Sequence, residues 1–158
     1  MKKSFLALIG MSLLTVSCNT MPLPEYPKII TVTFKQLEVV KDCDEGIAGQ
    51  GEFFYQFSVN GQVVMQKTEA QAIGANDGDI ISLGNTTKNV TINSALDSWT
   101  MGRQVYESDN PAGIMTVGDT TITVSLADNF GITPAGSVRT YDMNPSSTCR
   151  VILTYDVK

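Results

Sequence analysis

The segment GEFFYQFSVNGQVVMQK, residues 51–67, constrains the fold of this chain more than any other stretch. Large apolar side chains recur at every second position from Phe53 to Val59, which is the period of a half-buried β-strand. Asn60-Gly61 follows at once, and this dipeptide favours the tight turn of a two-residue hairpin. QVVMQK has the composition of the returning strand. The segment therefore predicts an antiparallel hairpin.

The period of two continues through most of the chain after Lys28. In KIITVTFKQLEVV the apolar positions change phase near Lys35 and Gln36, which predicts a β-bulge in the first strand. The best helical segment, Glu69 to Ala75, is too short to stand alone. Further strands are predicted at residues 80–83, 89–93, 99–106, 120–126 and 150–157, separated by turn-rich segments such as GANDGD, GNTTK and ESDNPAG.

These short strands, about seven to eight in all, predict a single all-β domain over residues 28–158, built as an antiparallel β-sandwich. If every predicted strand reverses direction, the loops at 41–51 and 107–117 fall at opposite ends of it. The alternation also assigns faces to the aromatic residues. We expect Trp99 in the core rather than on a binding surface.

The hairpin segment holds four aromatic or apolar residues whose environments the period predicts. Phe53, Tyr55 and Phe57 share one face and are expected in the core. Phe54 lies on the opposite face. An exposed Phe54 would mark a sheet edge or a partner surface.

The N-terminus, MKKSFLALIGMSLLTVSC, has the organisation of an export signal. Lys2 and Lys3 are followed by an apolar run of about 12 residues, shorter than the ~20 residues of a bilayer span. The segment resembles a bacterial lipoprotein signal peptide at residues 1–17, in which cleavage occurs before a lipid-modified cysteine. The resemblance implies that Cys18 is the lipidated first residue of the mature chain. An ordinary secretory signal is the alternative.

Lipidation would determine where the protein resides. Two or more acyl chains on Cys18 would anchor it stably to a membrane, and residues 18–27, rich in proline, predict a tether. We therefore expect a protein of the bacterial cell envelope, held at a membrane, the outer membrane in particular. The formal net charge of −5 disfavours nucleic acid as a partner.

The other two cysteines, Cys43 and Cys149, would then share an oxidising compartment, which predicts a disulfide. Cys43 lies just after the first predicted strand and Cys149 just before the last, so antiparallel pairing of these strands would bring the thiols together. Two reduced, partly buried thiols are the alternative. The chain lacks a CxxC motif and has no histidine, which disfavours redox and zinc sites.

Acidic residues cluster in KDCDEG, residues 41–46, and in YESDN, residues 106–110. Together with ITVTF and GEFFYQFSVNG, these segments resemble small C2-like β-sandwich domains of envelope proteins, with an immunoglobulin-like sandwich as the alternative. In C2-type folds, acidic residues from two loops at one end bind calcium. The resemblance assigns this role to Asp42, Asp44, Glu107 and Asp109. The alternative is that these are ordinary turn residues, so no cofactor is certain and calcium is the one implied.

The absence of histidine removes Ser-His-Asp and Cys-His arrangements and the commonest general base. We therefore do not expect an enzyme, although a pair of carboxylates could serve a glycosidase. The favoured function is a non-catalytic, membrane-anchored lipoprotein that binds a protein or glycan partner. The alternatives are a calcium-dependent binding or adhesion module and an accessory or inhibitor subunit of an envelope enzyme.

Overall fold

The computed structural model describes residues 25–43, 49–109, 113–145 and 148–158, with the side chain of Asp109 excepted. Along these residues the strands are β1 Lys28–Asp42, β2 Gly51–Val59, β3 Gln62–Lys67, β4 Ile73–Ala75, β5 Ile80–Ile92, β6 Ser98–Asp109, β7 Gly113–Ser125, β8 Arg139–Met143 and β9 Cys149–Val157. Short 3-10 segments occupy Glu69–Gln71 and Leu126–Gly131. In this part of the chain no helix has the length and apolar character needed to cross a membrane.

The strands form two antiparallel sheets. The four-stranded sheet has the order β5-β1-β9-β8, and the five-stranded sheet has the order β3-β2-β6-β7 with β4 paired to β2. The buried side chains alternate along the strands and form one apolar core between the sheets. The predicted all-β antiparallel sandwich is confirmed.

The aromatic residues of β2 show how the alternation builds this core. Phe53 and Phe57 are fully buried and Tyr55 is 4% exposed. The ring of Phe57 stacks on that of Phe34 in β1, with centroids 5.2 Å apart, and so joins the two sheets. Trp99 is buried as predicted, and its Nε1 donates a hydrogen bond to the carbonyl oxygen of Phe130 at 3.0 Å.

The predicted local features of the first three strands are confirmed. Asn60 and Gly61, at φ 49° and 73°, connect β2 to β3 in the left-handed conformation that this turn requires. The register of β1 against both neighbouring strands shifts between Phe34 and Gln36, which is the predicted bulge. The short helical segment is a 3-10 turn, Glu69–Gln71, and β4 follows it.

The strand count from sequence was wrong at β5. GNTTK, predicted as a turn, lies inside this strand, where Gly84 and Asn85 adopt positive φ of 65° and 54° opposite the bulge of β1. The same residues favour turns and bulges because both require left-handed backbone. Merging the two predicted strands removes one chain reversal. The ends of β1 and β6 and the start of β2 therefore lie at one end of the sandwich.

Candidate functional site

The outer face of the five-stranded sheet carries an aromatic pair. In the register of β2 with β6, Phe54 lies opposite Tyr106, and both side chains are half-buried. The two rings stack with centroids 5.2 Å apart and an interplanar angle of 23°. Phe54 thus occupies the outward position that the alternation predicted. The pair presents flat apolar surface to solvent.

A row of polar side chains lies next to the aromatic pair on the same face. The register places Gln66 opposite Gln56, Gln56 opposite Gln104, and Gln104 opposite Asp119. Nε2 of Gln56 donates to Oε1 of Gln104 at 3.1 Å, and Nε2 of Gln104 donates to Oδ1 of Asp119 at 3.1 Å. A glutamine amide has two N–H donors and two acceptor lone pairs, so each retains further hydrogen-bonding capacity toward solvent. We call Gln66, Gln56, Gln104 and Asp119 the amide row.

A groove of about 290 Å³ runs beside the aromatic pair and the amide row. Its other wall is the 3-10 turn, including Glu69. Oε1 of Glu69 accepts a hydrogen bond from Oγ of Ser108 at 2.9 Å, which attaches this turn to β6. The groove is therefore bounded by elements that are joined to the sheet rather than by a long loop.

The phenol of Tyr106 is a hydrogen-bond donor at neutral pH. Burial raises the pKa of Tyr106, and the negative charge of Asp119 raises this pKa further. The face thus combines an apolar ring surface, a phenol donor and amides that both donate and accept. Such a surface can bind a ligand that presents an apolar side together with several hydroxyl or amide groups.

The residues predicted to bind calcium are dispersed between described and undescribed parts of the chain. Asp42 ends β1, and its backbone N–H donates to Oδ1 of Asp77 at 2.8 Å. Asp44 lies outside the described residues, as does the side chain of Asp109. Asp42 thus meets a carboxylate, Asp77, that the prediction had not included.

Glu107, the fourth predicted ligand, lies within β6 rather than in the loop after it. Its side chain is buried, and Oε1 accepts a hydrogen bond from the backbone N–H of Glu52 at 3.3 Å. The strand was predicted to end three residues earlier, because Glu, Ser and Asp are weak strand formers. Pairing with β7 nevertheless accommodates them.

Among the described residues, no group of three or more His, Cys, Asp or Glu side chains is arranged to hold a metal ion. One nearby carboxylate serves as a local cap, since Oδ2 of Asp79 accepts a hydrogen bond from the backbone N–H of Asn76 at 2.8 Å. That is the ordinary role of aspartate in a turn. Calcium binding by Asp42, Asp44, Glu107 and Asp109 stays a prediction, because Asp44 and the side chain of Asp109 lie outside the described residues.

Cys43 and Cys149 form a disulfide, as the sequence indicated. Their Cα atoms are 4.1 Å apart, and Cys149 lies opposite Asp42 in the antiparallel register of β1 and β9. The bond joins positions 106 residues apart in the chain and so closes most of the domain. Cys18 lies outside the described residues, and its lipidation stays a prediction.

The amide row was not predicted from the sequence. Gln56 and Gln104 are visible as polar positions in two alternating strands, but the alternation alone does not say which of them become neighbours. The register between β2 and β6 decides this, and register depends on contacts between distant segments.

No protein-family model and no curated protein sequence matches this chain. Among solved structures, it is similar to a C2 domain of plant Extended Synaptotagmin 1, with 10% identity over 85% of this chain and 97% of that one and a TM-score of 0.43. A second structure, described as that of a C2 domain, has 7% identity over 84% of this chain and 99% of its own, with a TM-score of 0.44. Human GIVD cytosolic phospholipase A2 is similar over 82% of this chain but only 16% of its own, with 9% identity and a TM-score of 0.45.

Two of these three structures are C2 domains, the family that the sequence resembles. The TM-scores are all below 0.5 and the identities do not exceed 10%. Similarity at this level assigns neither a ligand nor an activity to the chain. Any function must therefore be argued from the residues of the protein itself.

Proposed function

We propose that this protein is a non-catalytic β-sandwich of the bacterial cell envelope that binds neutral glycans on the outer face of its five-stranded sheet. One observation carries the proposal: the stacked pair of Phe54 and Tyr106 lies directly beside the amide row, and both border one groove.

The chemistry of this face suits a sugar ring. A pyranose has a largely C–H face, which an aromatic ring can cover and remove from water, and a perimeter of hydroxyl groups. Each hydroxyl both donates and accepts hydrogen bonds, and a glutamine amide can do the same. The hydrogen bonds that link Gln56, Gln104 and Asp119 also hold the amides in position before a ligand arrives, which lowers the entropic cost of binding.

The charge of the protein favours neutral over anionic saccharides. The chain has a formal net charge of −5, and two carboxylates, those of Asp119 and Glu69, border the binding face. Lys67 also lines the groove and offsets the charge of Glu69 there, so it is the overall negative charge of the protein that disfavours an anionic polysaccharide.

Isothermal titration of the full chain, carrying Cys18→Ser to prevent lipidation, with neutral hexasaccharides of glucose, mannose and N-acetylglucosamine tests the proposal. We expect at least one to bind, and we expect Tyr106→Ala and Gln104→Leu to weaken that binding. Ile152→Ala is the matched control, since it shortens a half-buried, outward-facing side chain on the other sheet. If none of the saccharides binds, or if Tyr106→Ala binds as tightly as the parent, the glycan proposal is wrong and a protein partner becomes the alternative.

We further propose that lipid on Cys18 anchors the protein to a membrane of the envelope and that residues 18–27 hold the domain away from it. Support comes from the lipoprotein-like signal sequence and from β1, which begins at Lys28, just after the proline-rich segment. Cys18→Ala should move the protein from the membrane fraction of a bacterial host to the soluble fraction. Unchanged fractionation would contradict the anchor.

Calcium-dependent binding is a second proposal, supported by one observation: Asp42, at the end of β1, and Glu107, near the end of β6, lie at the same end of the sandwich. An ion bound only to the folded state raises the free energy of unfolding by about 2.7 kcal/mol at a hundredfold excess over Kd. Calcium should therefore raise the midpoint of thermal unfolding of the full chain, and chelator should reverse this. The double substitution Asp42→Asn with Asp109→Asn should abolish the effect of calcium. No shift at millimolar calcium would refute this proposal.

A further inference from the structure

A cavity of about 250 Å³ opens between the two sheets, on the side where β7 and β8 are the outermost strands. Trp99, Val124 and Val157, all of them buried, form its apolar walls. These side chains lie on the inner side of the sandwich, whereas the amide row lies on the outer face of the five-stranded sheet. The cavity is therefore separate from the face proposed to bind glycans.

Two side chains of opposite charge line this cavity. Asp128 belongs to the 3-10 segment Leu126–Gly131, and Arg139 begins β8. Both side chains are exposed, which places them at the mouth of the cavity rather than on its floor. Among the described residues, neither of them takes part in a salt bridge. The carboxylate and the guanidinium thus border one opening without pairing, so both charges are available to a ligand.

Hydrogen bonds to both sheets hold the 3-10 segment that carries Asp128. Nε1 of Trp99, in β6, donates to the carbonyl oxygen of Phe130 at 3.0 Å, and Nε of Arg139, in β8, donates to that of Gly131 at 2.7 Å. Phe130 has a φ of 51°, a left-handed conformation that a bulky residue adopts only when its surroundings impose it. The wall that bears the carboxylate is therefore fixed relative to Arg139.

Arg139 retains hydrogen-bond donors for a ligand. A guanidinium has five N–H groups, and the bond to Gly131 uses only the one on Nε. The two terminal amino groups can hold a carboxylate through two parallel hydrogen bonds. Burial raises the pKa of Tyr155, which lines the cavity, and the positive charges of Arg103 and Arg139 partly oppose this rise. The guanidinium of Arg139 therefore lies close to the aromatic part of the lining.

This lining selects against ligands that carry a single charge. An anion would be attracted by Arg139 but repelled by Asp128, and a cation would meet the reverse. A zwitterion satisfies both groups. The ammonium and carboxylate of an α-amino acid are joined through one carbon and lie about 3 Å apart, so both can be bound at one opening. The apolar walls would at the same time favour a hydrocarbon side chain.

We propose that the cavity binds an apolar α-amino acid in its zwitterionic form. The carboxylate of Asp128 would accept hydrogen bonds from the ammonium, and Arg139 would donate hydrogen bonds to the carboxylate. The side chain of the ligand would pack against Trp99 and Val124. The volume of about 250 Å³ is below that of pockets for drug-sized ligands, ~300–1,000 Å³, and so favours a ligand as small as an amino acid.

Trp99 provides a direct readout, because it lines the cavity and is the single tryptophan of the chain. The full chain with Cys18→Ser is titrated by calorimetry with L-valine, L-leucine, L-methionine and L-phenylalanine, and Trp99 emission is recorded in parallel. At least one of them should bind and change this emission. If none binds, or if binding leaves Trp99 emission unchanged, the proposal is wrong.

Analogues of the amino acid that binds most tightly test the need for both charges. One analogue lacks the ammonium and the other lacks the carboxylate, as 4-methylpentanoate and 3-methylbutylamine do for leucine. We expect each to bind at least about tenfold more weakly than the amino acid, the ratio that one hydrogen bond to a charged group supplies. An analogue that binds as tightly as the amino acid would overturn the proposal.

Variants assign each charge of the ligand to a residue. Asp128→Asn should abolish the preference over the analogue without the ammonium, and Arg139→Gln should abolish the preference over the analogue without the carboxylate. Arg150→Gln, which removes a guanidinium paired with Asp142 instead, is the matched control and should preserve both preferences. Should Arg139→Gln fail to fold, Asp128→Asn decides, since this side chain is exposed. An unchanged preference in Asp128→Asn would refute the proposal.

Discussion

In the four-stranded sheet, strands are joined by covalent and ionic links, whereas the outer face of the five-stranded sheet presents rings and amides to solvent. The disulfide of Cys43 with Cys149 connects β1 to β9. The Asp156 carboxylate, on a side chain only 3% exposed, is approached by Nζ of Lys35 at 3.2 Å and Nζ of Lys158 at 3.3 Å. The charged groups of this sheet thus bind one another, and together with the disulfide they stabilise the fold.

On the five-stranded sheet, the corresponding polar groups are arranged in the amide row, beside the pair of Phe54 and Tyr106. A neutral amide costs less to remove from water than a charged carboxylate does. The amides also retain donors and acceptors for a ligand, whereas the carboxylate of Asp156 is already paired with two lysines. The contacts that stabilise the fold and those proposed to recognise a ligand thus lie on different sheets. Substitutions should therefore separate stability from affinity.

The disulfide gives the largest expected effect. Replacing both partners, Cys43→Ser with Cys149→Ser, should lower the free energy of unfolding by about 2–5 kcal/mol, because the unfolded chain regains the freedom of a closed loop. Glycan affinity of the still-folded protein should not change. Urea denaturation followed by titration with the saccharide below the unfolding transition measures both quantities. A loss of glycan affinity in a fully folded double variant would contradict the assignment of stability and binding to different sheets.

Truncation of a ring in the aromatic pair should instead lower the glycan affinity more than the free energy of unfolding. Phe54→Ala should lower the affinity for the bound saccharide about 30-fold, about 2 kcal/mol, since a central aromatic contact commonly contributes this much. The change in unfolding free energy should be smaller than for a core phenylalanine, because Phe54 is half-buried. Titration and denaturation of Phe54→Ala beside Ile152→Ala test this. If both variants lost the same glycan affinity, the outer face of the five-stranded sheet would not be the specific binding surface.

Asp156 should contribute a pH-dependent stability to the four-stranded sheet. Burial alone would raise the pKa of this carboxyl, but hydrogen bonds from Lys35, Thr33 and Lys158 outweigh it and lower the pKa below its usual value. A lowered pKa in the folded state gives stability that is present above the unfolded-state pKa of about 4 and is lost as the pH falls through the folded-state pKa. Asp156→Asn should therefore lower the free energy of unfolding by about 1 kcal/mol at pH 7, the net contribution of a typical hydrogen bond.

Denaturation of the parent and Asp156→Asn from pH 7 to pH 2 provides the measurement. The difference between the two proteins should shrink as the pH falls below about 4, because the unfolded parent then takes up a proton that the folded carboxylate does not yet bind. A difference that stayed constant down to pH 2 would mean that the ionic contacts do not stabilise this sheet.

The smallest effect is expected for Arg150, whose guanidinium pairs with Asp142. Both side chains are about one-third exposed, at 34% and 32%, so water screens the pair. Arg150→Ala should lower the free energy of unfolding by less than Asp156→Asn does. If Arg150→Ala lowered the free energy of unfolding more than Asp156→Asn in the same denaturation series, the expectation that the more buried ion pair contributes more would be wrong.

Sequence predicted most of the fold because its signals here are local. The alternation in β2 assigned Phe53 and Phe54 to opposite faces, and Asn60-Gly61 specified the hairpin through its own backbone preference. The disulfide followed from two cysteines at the ends of strands that pair. The failure at GNTTK has the same origin, since a turn and a bulge use the same left-handed residues and only the partner strand distinguishes them.

The candidate site was only partly predictable. Phe54 was recognised as outward-facing, but its stacking partner and the amide row depend on the register of β2 with β6, which no local pattern contains. The burial of Arg103 was not predicted, because arginine side chains are mostly exposed in folded proteins.

The period of the strands, the hairpin, the bulge in β1 and the composition of the core could be predicted from the sequence alone, because each depends on residues within a few positions of one another. Tertiary pairing was needed to show that residues 80–92 form one strand and that the ends of β1 and β6 meet at one end of the sandwich. The same holds for the rings and amides that form one face and for Arg103, which is enclosed between the sheets. Each of these results from pairing between segments far apart in the chain, where the free energy of packing rather than local preference selects the register.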